Sequence, residues 1–166
     1  MPPKRASSKP LEWISDCIGT TDATVTNGVI ELGLRDDEVA EVWQIDSYIS
    51  GGLAAGANDE VEYHKMISMD PDVIADPSVA ANMEDLEIIM HHGLSMDRDL
   101  TTTGQSQGQR ANHSIRRYNP PVLVGTDMGQ VVKGDAAEVG AFWTTVYFTR
   151  RRANVSELNQ ILLKRR

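Results

Sequence analysis

A run of β-branched and aromatic residues near the end of the chain constrains the fold more than any other feature. Residues 138–150 read EVGAFWTTVYFTR, and both sets of alternate positions in this run are largely apolar. Such side chains favour strands over helices, and two apolar faces are typical of a strand covered on both sides. The run therefore predicts a central strand of a β-sheet.

A second long stretch predicts two more strands. Residues 28–50 read GVIELGLRDDEVAEVWQIDSYIS, and an acidic turn at Asp36-Asp37 separates two segments that alternate with period two. Continuous alternation after the turn places Ala40 and Val42 on one face of the second strand. The opposite face is then expected to hold Val39, Glu41, Trp43, Ile45, Ser47 and Ile49.

Shorter segments complete the predicted sheets. Alternation, proline and glycine positions indicate strands at residues 61–69, 86–91, 122–126 and 129–132. Pro120 and Pro121 are expected to open the third of these. Residues 77–84 predict a helical turn before strand 86–91, with one continuous helix over 77–91 as the alternative. Residues 97–114 are rich in Gln, Gly, Ser and Thr, which predicts a long exposed loop.

The end of the chain predicts a short amphipathic helix. Asn154 and Glu157 have the spacing of a capping-box variant, in which the carboxylate reaches back to the cap amide. The apolar face of this helix would hold Val155, Leu158, Ile161 and Leu162. Seven or eight strands and one helix, without a repeat, are typical of an all-β sandwich or barrel. We expect three regions: a flexible basic arm at 1–10, a β-sandwich body at 11–153 and a C-terminal helix at 154–166.

Charge is distributed unevenly along the chain. Nine of the sixteen basic residues lie in residues 1–9 and 150–166, whereas residues 10–149 hold seven basic residues and 23 of the 24 acidic ones. Acidic bodies repel one another, while basic ends attract acidic bodies or nucleic acid. The pattern favours an assembling protein. Its N-terminal cations, Lys4, Arg5 and Lys9, are too few for strong nucleic-acid binding.

The sequence contains no recognisable catalytic pattern. Neither GxxxxGK[ST] nor GxGxxG occurs, no serine stands in a recognisable nucleophile turn, and the lone Cys17 is expected to be a small buried hydrophobe. His91 and His92 would point to opposite faces of a strand, and His64 could meet His91 only across strands. We therefore predict no enzyme activity, no cofactor and no metal site. No segment reads as a membrane span or signal peptide, so synthesis in a cytoplasm is expected.

The layout of these segments resembles the small single jelly-roll capsid proteins of icosahedral viruses. The similarity rests on a basic Pro/Ser arm, on the segments 28–52, 119–126 and 141–152, and on the tail helix. The resemblance implies eight antiparallel strands in two facing sheets, copies joined as pentamers or hexamers in a shell, and no catalysis. The arm here is short and weakly basic, so it would contact a genome or an internal membrane only weakly. A second coat protein is a further candidate partner.

Taken together, the patterns favour a viral coat protein that assembles laterally and resides in the virion. The residues expected to carry subunit contacts are Arg150, Arg151, Arg152, Leu158, Ile161 and Leu162. A small ligand- or carbohydrate-binding β-barrel is the alternative, in which Trp13, Trp43 and Trp143 would line a pocket. Against it, the mid-strand positions of Trp43 and Trp143 predict core packing. A β-barrel enzyme with a histidine metal site is a third hypothesis.

Overall fold

The computed structural model describes residues 10–20, 23–51, 60–79, 87–97, 110–134, 140–157 and 159. Within these ranges the chain is almost entirely β-strand. The eight strands are β1 (Glu12–Thr20), β2 (Thr26–Ile30), β3 (Glu38–Gly51), β4 (Glu60–Ser68), β5 (Ile88–Asp97), β6 (Arg110–Val124), β7 (Met128–Lys133) and β8 (Gly140–Arg152). The all-β prediction is confirmed.

The strands form a single jelly roll, as predicted. They pair antiparallel as β1 with β8, β2 with β7, β3 with β6 and β4 with β5, which is the pattern of one long hairpin. Rolling this hairpin adds the pairs β3–β8 and β4–β7. Two four-stranded sheets result, in the orders β1-β8-β3-β6 and β2-β7-β4-β5. We call them the first and the second sheet. Their facing sides enclose the core, as in other double-sheet jelly rolls.

A β-bulge in β3 overturns the face assignment made from the sequence. The register slips between Val42 and Gln44, so Trp43 is the extra residue. Because a bulge shifts the alternation by one position, Ala40 and Val42 share the inner face with Ile45. The predicted grouping of Val39, Glu41 and Trp43 with Ile45 is therefore wrong, and Trp43 is 39% exposed.

Two further predictions need correction. The strand predicted at 122–126 is the end of the long edge strand β6, which already begins at Arg110, so the predicted loop 97–114 extends too far. An edge strand tolerates Pro120 and Pro121 because its outer amides have no partner to lose. Strand β8 is central in its sheet as predicted, but it is covered on one face only: Phe142 is buried and Trp143 is 41% exposed.

For residues 77–91 the sequence left two alternatives, a helical turn followed by a strand or one continuous helix. Strand Ile88–Asp97 confirms the strand expected at 86–91 over one continuous helix. The helical turn predicted at 77–84 lies largely outside the described residues, although Pro77 and Ser78 form a turn. The connecting segment 70–79 packs over the outer side of the second sheet. Gly129 permits this approach, because a Cβ there would clash with the Asp70 carbonyl oxygen.

The C-terminal helix α1 begins as the sequence predicts. The Glu157 amide donates to Asn154 Oδ1 at 2.9 Å, and the Asn154 amide donates to Glu157 Oε2 at 2.8 Å, so the capping box is closed in both directions. Helical geometry is described for residues 155–157 and 159. Leu158, Ile161 and Leu162 lie outside the described residues, as do Lys4, Arg5 and Lys9 of the N-terminal arm.

Candidate functional site: an exposed aromatic sheet face

The outer side of the first sheet carries a dense set of exposed aromatic residues. Strand alternation directs β1 and β8 side chains outward at odd positions, and the β3 bulge turns Trp43 to the same side. All three tryptophans of the chain therefore lie on one surface. We call this surface the aromatic face and define it by Trp13, Trp43, Tyr48, Ile115, Leu123, Trp143 and Tyr147.

Contacts with neighbouring side chains hold several of these aromatic residues in place. The Tyr48 and Trp143 rings are tilted by 60° with centroids 5.3 Å apart, a separation within the favourable range for aromatic pairs. Trp43 Nε1 donates to Thr149 Oγ1 at 3.1 Å. Trp13 pairs with Tyr147 across β1 and β8, and its side chain is 68% exposed. The prediction that Trp43 and Trp143 pack in the core is wrong.

Charge on the aromatic face is balanced, in contrast to the acidic molecule around it. Its Asp, Glu, Lys and Arg residues are two acids, Glu41 and Asp46, and two bases, Arg117 and Arg151, and it also carries His113. Glu41 accepts a 2.6 Å hydrogen bond from Arg151 Nε, and Asp46 accepts one from Gln44 at 2.7 Å. Other exposed acids lie elsewhere on the molecule, for example Asp36, Asp37 and Asp72 on connections. The face is therefore a place where two acidic molecules can approach without strong repulsion.

A shallow cleft of about 640 Å³ opens at one side of this face. Aromatic side chains from three strands line it, together with amide and guanidinium groups. These residues are Trp43, Tyr118 and Tyr147, and Gln44, Arg117 and Asn119. Arg117 Nε donates to Gln44 Oε1 at 3.0 Å, which fixes both polar groups at the rim. Aromatic planes beside hydrogen-bonding groups suit a flat polar ligand such as a sugar ring.

The arginine triplet predicted for subunit contacts is largely engaged within its own chain. Arg151 binds Glu157 through both terminal nitrogens, at 2.8 and 2.6 Å, besides its bond to Glu41. The hydrogen bonds from Arg151 lower the pKa of the Glu157 carboxyl to about 2. On the opposite side of the strand, Arg150 pairs with Glu12 at 3.0 Å and lies over the Phe148 ring.

Arg152 differs from its two neighbours. Its side chain is 88% exposed, and its only described carboxylate neighbour, Asp37, is 3.6 Å away. A loose pair at that distance and exposure contributes little to stability, so Arg152 remains available to a partner. Arg150 and Arg151 therefore have intrachain roles that sequence reasoning missed, whereas Arg152 is largely exposed, and its role in subunit contacts stays a prediction.

A layer of polar side chains crosses the interior of the sandwich. Six strands each contribute one polar residue at the same level, between the apolar cluster around Ile45 and the one around Tyr63. These residues are Asp16, Ser47, Lys65, His92, Gln130 and Thr144. Gln130 joins two of them, donating to Asp16 and accepting from Thr144 at 2.9 Å. We call this set the polar layer.

Two groups in the polar layer have strongly shifted pKa values. Burial lowers the pKa of Lys65 from 10.5 to about 7; its ammonium donates to the Trp143 carbonyl at 2.9 Å. Burial, reinforced by Lys65, lowers the pKa of His92 to about 4, and His92 Nδ1 bonds Ser47 Oγ at 2.9 Å. Such shifts mark many catalytic residues. These two are only 1% and 5% exposed, respectively, so we interpret them as interior residues.

Three further features expected or excluded from the sequence concern Cys17, a cluster of metal ligands and a membrane-spanning helix. Cys17, expected to be buried, is exposed on the outer side of β1 opposite Trp143. Among the described residues, no three His, Cys, Asp or Glu side chains are grouped so that they could hold a metal ion. No helix in the described ranges has the length and apolar character needed to cross a bilayer.

Sequence reasoning missed the aromatic face because unbroken alternation places Trp43 opposite to its true side. One signal was present in the sequence. Trp143 and Tyr147 stand at odd positions of a strand whose even positions are also largely apolar, so one of its two sides had to remain uncovered in a two-layer fold. A scan against protein-family models and a search of curated proteins find no match to this chain.

Proposed function

We propose that this chain is the repeating subunit of a capsid-type shell and that it assembles laterally through its aromatic face. The observation that carries the proposal is a neutral, aromatic sheet surface on an otherwise acidic jelly roll. Large exposed apolar patches on soluble proteins mark sites of association, and aromatic residues are enriched at interfaces. The proposed location of the protein is the virion, after synthesis in the host cytoplasm.

The size of the aromatic face supports an interface. Trp13, Trp43, Trp143 and Tyr48 are 68%, 39%, 41% and 38% exposed. Since an aromatic side chain has roughly 150–250 Å² to bury, these four rings alone leave about 300–450 Å² accessible. A standard protein interface buries about 800 Å² on each partner. With Ile115 and Leu123, which are 47% and 45% exposed, the aromatic face supplies the apolar centre of such an interface.

The charged groups around this face favour copies of the same chain as partners. Arg152 projects from the end of β8, and the neighbouring connection carries Asp36 and Asp37. In a ring of five or six copies, the arginine of one subunit would meet the acidic connection of the next. A second coat protein with a similar acidic surface is a further proposed partner. The arm residues Lys4, Arg5 and Lys9 are proposed to contact a genome or internal membrane weakly.

Assembly of face variants tests the proposal. The variant Trp13→Thr/Trp143→Thr removes two exposed rings but keeps strand propensity, so the fold is expected to persist. We expect the wild type to form oligomers well above the 18.3 kDa of one chain, and the double variant to remain monomeric. Light scattering after size-exclusion chromatography, followed by negative-stain microscopy, measures both.

The control is Ile74→Thr, which removes a side chain that is 74% exposed on the connection before β5. It should assemble as the wild type does. A wild-type protein that stays monomeric at all salt and protein concentrations would refute the proposal. Normal assembly of the tryptophan double variant would refute the role of the aromatic face.

A carbohydrate-binding function is the second candidate, and the cleft beside Trp43 favours it. Tyr147 and Trp43 offer ring faces, while Gln44 and Arg117 offer hydrogen bonds. Glycan-array binding that is lost in Trp43→Thr but retained in Trp13→Thr would support this function. Binding of no glycan by the wild type would dismiss it.

A further inference from the structure

Two histidines meet on the outer side of the second sheet, far along the chain from each other. In the β4–β5 pair His64 lies opposite Gly93, and His91 lies opposite Met66. The two histidines are therefore diagonal neighbours on one side of the sheet. Their ring centroids are 6.0 Å apart, and the ring planes are inclined by 35°. Neither ring takes part in the aromatic face or the polar layer.

The hydrogen bonds of the two rings fix which nitrogen carries the proton. His64 Nε2 lies 3.1 Å from Glu62 Oε2, and His91 Nε2 lies 3.1 Å from the Pro77 carbonyl oxygen. A carboxylate and a carbonyl can only accept, so both Nε2 atoms must donate. In a neutral imidazole that carries its proton on Nε2, Nδ1 has a lone pair and can act as a ligand.

The Nδ1 atom of His64 is buried and has no hydrogen-bond partner within the described part of the chain. Buried polar atoms are nearly always paired, so an unpaired one calls for an explanation. Gly93 leaves space beside it. A Cβ at Gly93 would lie 3.8 Å from His64 Nδ1 and 3.9 Å from His91 Cε1, so both rings border the same gap.

We propose that His64 and His91 bind a divalent transition-metal ion such as Zn²⁺ through their two Nδ1 atoms. With metal–nitrogen bonds of about 2.0–2.1 Å, two imidazoles on one ion place their ring centres roughly 5–6.4 Å apart. The observed 6.0 Å lies within that range. Imidazole suits Zn²⁺, Cu²⁺ and Ni²⁺, and ligating histidines usually donate their other ring N–H to a carboxylate or carbonyl. Glu62 and the Pro77 carbonyl occupy those positions.

Charge around the pair permits a cation. Lys133 lies opposite His64 in the β4–β7 register, but its ammonium is bound to Asp76 at 2.6 Å and to Ser78 at 2.9 Å. The lysine charge is thereby compensated. Because the described residues supply two ligands here, we expect water at the remaining coordination positions and a modest affinity.

Zinc titration of the untagged full chain tests this site. Isothermal titration with ZnCl₂ at pH 7.5 should detect binding by the wild type. His64→Gln and His91→Gln should each weaken the tightest binding at least tenfold. Glutamine keeps an N–H donor for Glu62 or the Pro77 carbonyl but has no imidazole nitrogen, so circular dichroism should show an intact fold.

His113→Gln is the matched control, because His113 is exposed on β6 and lies outside the pair. It should bind zinc as the wild type does. The proposal is overturned if the wild type binds no zinc, or if the His64 and His91 variants bind it as tightly as the His113 variant does. Either result is independent of assembly, so it leaves the proposed shell function untouched.

Discussion

Individual residues in the polar layer limit how stable the sandwich can be. Lys65 is 1% exposed and has one described hydrogen bond, so most of the hydration of its ammonium is lost without full replacement. A buried charge of this kind costs free energy unless it is well paired. Ser47, Gln130 and Thr144, by contrast, satisfy one another or their neighbours. The layer therefore combines three neutral, hydrogen-bonded side chains, Ser47, Gln130 and Thr144, with one costly cation.

Lys65 makes the stability of the protein depend on pH. Between pH 10.5 and about 7 the unfolded chain binds a proton at this residue that the folded chain does not bind. Stability should therefore fall as the pH is lowered through this window, by on the order of 4 kcal/mol in total. His92, with a pKa lowered from 6.5 to about 4, adds a loss of the same sign between those two values.

Lys65→Met checks this prediction. Methionine fills similar volume without a charge, so the variant should be more stable at pH 7 and should lose the dependence between pH 7 and 10. Urea unfolding at several pH values measures both quantities for each protein. A wild-type profile that is flat over this window would contradict the prediction, and so would a variant that is less stable at pH 7.

The arginine triplet gives a second prediction at the residue scale. Arg151→Ala should lower Tm by a few degrees, because it removes the bonds to Glu41 and the bidentate bond that holds α1 through Glu157. Arg152→Ala should leave Tm unchanged, since its side chain is 88% exposed. Thermal unfolding followed by circular dichroism compares the two. Equal effects would show that the observed pairing of Arg151 is not what stabilises this end of the molecule.

At the scale of elements, the close approach of segment 70–79 to the second sheet depends on a glycine. Gly129 lies under the Asp70 carbonyl and the Val73 side chain, and backbone cannot yield as a flexible side chain can. Val131 and Met66, on the same side of the sheet, are fully buried. The connection thus acts as a cover for an apolar outer side that water would otherwise reach.

Gly129→Ala should therefore displace the connection and destabilise the protein by about 1–3 kcal/mol. Gly19→Ala is the matched control, because a Cβ there meets only the Gly140 carbonyl at an ordinary 3.6 Å. Chemical denaturation measures the difference in unfolding free energy. Comparable unfolding free energies of the two variants would indicate that segment 70–79 can move away from Gly129 without a loss of stability.

In the molecule as a whole, the two sheets differ in whether their outer sides are covered. The second sheet is covered by its own connection, whereas the first leaves the aromatic face exposed. An acidic molecule with one uncharged aromatic side is suited to association in a defined orientation. The assembly experiment with Trp13→Thr/Trp143→Thr tests this outer side, since the two substitutions change neither the core nor the polar layer.

The all-β class and the capping of α1 could be predicted from the sequence patterns alone, whereas the jelly roll was implied by the resemblance and strand β1 was not predicted. The all-β class and the capping depend on local propensity, on alternation within a strand and on contacts between residues three apart. The period-two pattern of segment 61–69 also places Val61, Tyr63, Lys65 and Ile67 on one side of β4, and all four are buried.

Which sides of the strands face water depends on the tertiary structure. The slip at Trp43 reverses the first half of β3, and the sequence around it contains no interruption that marks a bulge. Likewise, the encounter of His64 with His91 and of Arg151 with Glu41 depends on strand register over long separations. Strand register depends on side-chain packing across both sheets, so a local sequence pattern does not predict it.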